Sequence, residues 1–100
     1  MYARVATFSV DDPAKIDGEI EMTLRYTSGG RLPEGIPASG FLMLVDRDGQ
    51  KVVEVLLFDS KDELRTGDET MDAMAPGGGS MHRTSVERFE VAVQLLPTNG

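Results

Sequence analysis

The chain has no cysteine, no tryptophan and a single histidine in 100 residues. Without cysteine there is no disulfide, no thiolate metal site and no thiol nucleophile. One imidazole, His82, excludes a centre built on several histidines, and a solvated loop position explains it more simply than acid–base catalysis. No apolar run approaches the roughly 20 residues of a membrane span. The longest lies at Phe41 to Val45, and the opening Met1-Tyr2-Ala3-Arg4-Val5 lacks the apolar core of a signal peptide. A cysteine-free chain without such segments is expected in the cytoplasm, with no membrane partner. The net charge of −7 argues against nucleic acid as a partner. Gly77-Gly78-Gly79 lacks the Gly-Lys-Ser/Thr ending of a phosphate loop and reads as a connector.

What is present suits one globular domain. Hydrophobic residues make up 40% and charged residues 27%, an ordinary globular balance. Residues 1–96 are expected to form the domain and residues 97–100 a loose tail.

Strand composition over Tyr2 to Ser9 stops at Asp11-Asp12-Pro13, where Asp12 can cap a helix and Pro13 suits its first turn. Ile16, Ile20 and Thr23 or Leu24 recur at helical spacing until Ser28-Gly29-Gly30. An ordered loop over residues 31–39 precedes a strand at Phe41 to Val45. Asp48-Gly49 signals a hairpin, and Val52 to Phe58 forms its second arm. Ser60-Lys61-Asp62-Glu63 is a capping box, predicting a helix with Leu64, Met71, Met74 and Ala75 inward. Pro76 and the glycines after it stop that helix. The last strand is predicted from Ser85 to Gln94.

This order, βαββαβ, gives a ferredoxin-like α+β fold: an antiparallel four-stranded sheet with both helices on one face. The hairpin register sorts the side chains. Phe41, Met43, Glu54 and Leu56 share one side of the sheet, while Leu42, Leu44, Val53, Val55 and Leu57 share the other. Both sides are largely apolar, so covering one with helices leaves a patch that a monomer rarely exposes. A homodimer through the uncovered face is therefore expected. The wholly apolar second set is assigned to the helices. The interface is then expected to hold Arg4, Phe41, Met43, Glu54, Leu56, Arg88 and Glu90, the mixed charges pairing across adjacent strands. Asp68, Glu69 and Asp72 on the second helix read as a solvated face, and no metal site is assigned.

The segments Ala3-Arg4-Val5, Asp12-Pro13-Ala14-Lys15-Ile16-Asp17, Gly40 to Arg47, Phe58-Asp59-Ser60 and Ser85 to Val91 carry a likeness over nearly the whole chain. In them the chain resembles the dimeric α/β-barrel superfamily, especially its antibiotic biosynthesis monooxygenase-like domains. The resemblance implies a homodimer whose sheets face each other, with a small-molecule cleft between each protomer's helices and sheet. The haem-degrading branch uses Asn on strand one, Trp at the end of strand three and His on the second helix. Here strand one has no Asn, Phe58 stands where Trp would be, and residues 61–75 contain no His. Cofactor-free monooxygenase members rely on Trp, Asn, Tyr and Arg around a polyaromatic substrate. This chain offers Tyr2, Tyr26, Arg4 and Arg88, and its one Asn is Asn99.

No catalytic residue and no cofactor is assigned on this basis, and the balance leans away from an enzyme, because a fold does not carry its relatives' chemistry. What remains is a small apolar or aromatic ligand between helices and sheet. Tyr26, Phe58, Met71, Met74 and His82 would form the wall and mouth, the methionines being adaptable wall material. The alternative is a cofactor-independent monooxygenase of the antibiotic-biosynthesis type, acting on an aromatic polyketide-like substrate.

Overall fold

The computed structural model describes residues 1–30, 32–74 and 81–96. Strand β1, Tyr2–Val10, ends where Asp12 accepts a hydrogen bond from the Ala14 N–H at 3.0 Å. A single 3-10 turn, Pro13–Lys15, leads into helix α1, Ile16–Tyr26. Gly29 and Gly30 follow with φ of 78° and 73°, a conformation that ends a helix and favours glycine.

Strands β2, Gly40–Asp46, and β3, Lys51–Phe58, form the predicted hairpin. Val45 faces Val52, Met43 faces Glu54 and Phe41 faces Leu56, as the turn position requires. The turn itself is longer than two residues, and its positive φ falls at Gln50, at 52°. The Asp46 carboxylate accepts from the Gly49 N–H at 2.9 Å and braces it.

Helix α2, Lys61–Met74, starts on its capping box: Ser60 Oγ accepts from the Glu63 N–H at 3.1 Å. Its predicted inward residue Ala75 lies outside the described residues, as do the Pro76 to Ser80 connector and the 97–100 tail. Strand β4 runs over Met81–Glu90, starting and ending four residues before the predicted Ser85 to Gln94. Residues 91–96 have strand composition but pair with no strand among the described residues. Val91 is tied back, its N–H donating to the Met1 carbonyl at 2.9 Å.

The strands form one antiparallel sheet in the order β2-β3-β1-β4, the ferredoxin-like arrangement. A register shift between Thr7 and Phe8 in the β1–β4 pairing lets Arg83 and Met81 share a face with Phe8 and Val10.

The helices cover the opposite face from the one expected. Ala6, Phe8, Val10 and Val52 pack with Ile16 of α1, while Leu56 and Phe58 pack with Leu64 of α2 and Ile36 of the loop. Phe41 and Met43 line the same side, and Arg4 is only 2% exposed beneath α2. Arg4, Phe41, Met43, Glu54, Leu56 and Arg88 are therefore not the uncovered face, and the interface assigned to them is corrected. Glu90 closes the same row beside Tyr2 and is exposed. The physical reason is ion pairing. Helix α2 brings carboxylates across to the strand arginines, so the charged face becomes the covered one. The uncovered face is the all-aliphatic row of Leu42, Leu44, Val53, Val55 and Leu57, with Val5 and Phe89 on the neighbouring strands.

Candidate functional site

Between α1, α2 and the sheet lies a cleft. Two hollows of about 150 and 220 Å³ make it up, a third of about 310 Å³ adjoins them between α1 and β2, and they share wall residues. Met71 and Met74 of α2 wall the first two and Glu54 floors both; Thr23 of α1, Thr27 just past its end and Phe41 of β2 join the first to the third. The loop closes one end with Leu32, Pro33 and Ile36. Phe8, Met81 and Arg83 line the other side.

Ala6, the β1 neighbour of Glu54, carries only a methyl group and is buried. On the β2 side Met43 flanks Glu54. The carboxyl thus sits mid-sheet under the gap between the helices. Burial pushes the Glu54 carboxyl above its ordinary range; the Arg4 guanidinium pulls it down and the Glu19 carboxylate adds to the rise. Burial wins.

Beside the cleft, α2 is clamped to the sheet. Asp68 receives the Arg4 Nε–H at 2.7 Å and the Arg88 Nε–H at 2.7 Å, one on each oxygen. Arg88 adds a second bond at 2.9 Å, making a two-pronged contact. Asp72, one turn later, meets Arg83 at 3.3 Å and Arg4 at 3.5 Å. Burial raises the Asp68 carboxyl, but the hydrogen bonds and charges of Arg4 and Arg88 outweigh it and hold it below the usual aspartate range. Asp68 and Asp72 are therefore clamp residues and not the solvated face expected of them. Their four-residue spacing places both on one helix face, the signal in the sequence that matched the three strand arginines.

Of the expected ligand residues, Tyr26, Met71 and Met74 line the cleft together. Phe58 does not. Its ring is fully buried beneath α2, packed against Gly67. His82 does not either. Because β4 begins at Met81, His82 belongs to the strand opposite Ser9, and its Nε2 meets the exposed Asp11 carboxylate at 2.8 Å. Among the described residues no group of three or more metal-binding side chains converges. No helix there is long and apolar enough to cross a membrane. Thr23, Thr27 and the loop residues Leu32, Pro33 and Ile36 are wall residues that no sequence pattern singled out.

No protein-family model matches the chain, and no curated protein matches it. Two solved structures share its fold. One is a haem degrader, MhuD of Mycobacterium tuberculosis, solved with two haems in its active site; it is 17% identical, with a TM-score of 0.62 over 95% of this chain and 99% of that one. The other is a mutant of MhuD with two manganese protoporphyrin IX molecules per active site, also 17% identical, with a TM-score of 0.66 over 97% of this chain and 100% of that one. At that identity the likeness establishes a common fold.

Proposed function

We propose that this chain is a homodimeric ligand-binding protein of the dimeric α/β-barrel type, related to the antibiotic biosynthesis monooxygenase-like domains. Its cleft would hold a small flat apolar or aromatic molecule. The cleft carries this reading. Methionine, tyrosine and phenylalanine side chains from two helices and the sheet surround a hollow in place of a filled core, and an adjoining hollow of about 310 Å³ between α1 and β2 extends the space toward the size that small ligands occupy. That MhuD holds porphyrins in a protein of the same fold supports a planar guest. Pairing through the uncovered sheet face belongs to the same proposal, as does the cytoplasmic location suited to a cysteine-free chain.

Cofactor-independent oxygenation of an aromatic polyketide-like substrate is the second reading. The shared fold with a haem degrader favours it, and the missing Trp, Asn and helical His weigh against the haem-degrading version of it. With haem, reductant and oxygen, the protein is expected to yield no open-chain product; an absorbance record of haem turnover would reverse that judgement.

Met71→Trp tests the cleft. In a hollow, the indole fills space, stability is kept, and flat aromatic probes from naphthol to protoporphyrin lose their binding. In a packed core, overpacking would cost about 1–3 kcal/mol. Thermal unfolding of parent and variant, with and without probes, separates the outcomes, because a bound ligand raises the parent's unfolding temperature.

A further inference from the structure

The polar groups around the cleft are nearly all spent. Thr23 Oγ1 donates to the Glu19 carbonyl at 2.9 Å, and Thr27 Oγ1 to the Thr23 carbonyl at 2.9 Å, so both hydroxyls serve the α1 backbone. Arg4 is taken up by Asp68 and Asp72, and Arg83 by Asp72. No hydrogen bond or ion pair from the described residues reaches the Glu54 carboxyl, which feels Arg4 only through its field. Among the described residues, no sealed side-chain oxygen or nitrogen lacks a partner. The Glu54 oxygens are therefore not sealed in; they open onto the hollows whose floor they form. The cleft presents an apolar wall with the Glu54 carboxyl as an acceptor at its base and the Tyr26 hydroxyl on its wall.

We infer that Glu54 is the specificity-determining residue of this cleft, selecting aromatic ligands that carry a hydrogen-bond donor, a phenolic O–H or an amine N–H, over those that are bare or end in a carboxylate. The inference rests on the ligand-binding reading above and names its ligand class. A half-buried carboxyl without a protein donor is costly to ionise, and a guest that supplies one recovers that cost as a charge-assisted bond. A guest ending in a carboxylate would place like charge against Glu54 and must turn that end toward the mouth. The raised pKa of Glu54 fits this picture: burial outweighs the field of Arg4 and disfavours its ionised form, which a donor would stabilise.

Four probes with one aromatic body supply the test: 2-methylnaphthalene, 2-naphthol, 2-naphthylmethylamine and 2-naphthoate, titrated calorimetrically at neutral pH. In the parent, naphthol and the amine should bind on the order of tenfold or more tighter than methylnaphthalene, the usual yield of a bond to a charged group. Naphthoate should bind most weakly. Glu54→Met keeps the bulk and removes the acceptor, and should bring the donor probes down to parity with methylnaphthalene. Glu54→Gln keeps an acceptor without charge: retained naphthol binding with loss of amine preference assigns the two guests to hydrogen bonding and charge respectively. If the parent binds all four alike, or the donor preference survives in Glu54→Met, the role of Glu54 is overturned while the cleft stands. If no probe binds at all, the inference and the ligand-binding reading fall together.

Discussion

Gly67 lies inside α2, where glycine costs about 1 kcal/mol relative to alanine. Its reason is Phe58: a Cβ there would fall 2.5 and 2.6 Å from two ring carbons, and the ring is 0% exposed. The sequence shows only a glycine in a helical pattern; the ring that requires it comes from another element. Gly67→Ala should lower the unfolding temperature, since overpacking of about 1–3 kcal/mol exceeds the helix gain. A rise would mean that the ring turns aside freely. Glu54 makes a second residue-scale case. Its folded pKa lies above the ordinary 4.5, so its cost to stability is absent below that value, grows as pH rises toward the folded pKa and persists above it. Glu54→Gln should therefore stabilise the protein at neutral pH, and the gain should vanish below about 4.5. Unfolding curves at pH 4 and pH 7 check it, and a gain that is equal at both would contradict the burial argument.

At the scale of elements, α2 is fastened by chemistry as much as by apolar packing. Asp68 holds Arg4 and Arg88, and Arg4 is buried. Breaking one side of a buried pair costs about 3–5 kcal/mol, and Asp72 at 3.5 Å from Arg4 should keep Asp68→Ala near the lower end. The folded pKa of Asp68 is depressed, so its contribution is complete above the ordinary 3.8 and is lost as pH falls through the folded value. Denaturant titrations should show Asp68→Ala least stable relative to the parent at neutral pH, with the gap closing in acid. A gap that did not change with pH would mean that the carboxylate is not the fastening group. This clamp also marks where the sequence stops being legible. The Asp12 cap, the Ser60–Glu63 box and the Val45–Val52 register are local signals, and each stands where expected. The choice of covered face is not local. Both faces of the hairpin are apolar, and the partners that decide it, Arg4 with Asp68 and Asp72, are 64 and 68 residues apart. The end of β4 fails for a related reason: Val91 to Gln94 has strand composition, but a strand needs a neighbour to pair with. For the cleft, Met71 and Met74 could be read from helical spacing, whereas Phe58 and His82 depended on a face and a strand boundary.

For the whole molecule, the uncovered sheet face poses the remaining question. Leu42 and Leu44 are 53% and 50% exposed, Phe89 is 48% exposed, and Val53, Val55 and Leu57 lie between them. Just past β4, Val93, Leu95 and Leu96 are more exposed still. Contiguous apolar surface of this kind is unusual on a monomer. A second copy would bury matched aliphatic rows sheet against sheet, at about 25 cal/mol for each Å² removed from water before association costs. Sedimentation at micromolar concentration should then give about twice the 10.9 kDa of one chain. Leu56→Asp is a poor probe of this, because Leu56 is 3% exposed in the core and its loss would unfold either form. Leu44→Asp discriminates. In a lone protomer that side chain faces water, and the change is nearly neutral. In a sheet-on-sheet dimer it forces an unpaired charge into a dry contact, at a cost of several kcal/mol. The expected result is a folded Leu44→Asp protein that sediments as a monomer, with Lys61→Asp on the exposed start of α2 still dimeric. A parent that runs as a monomer, or a Leu44→Asp variant that stays a dimer, would place the contact elsewhere and leave the aliphatic face to another partner.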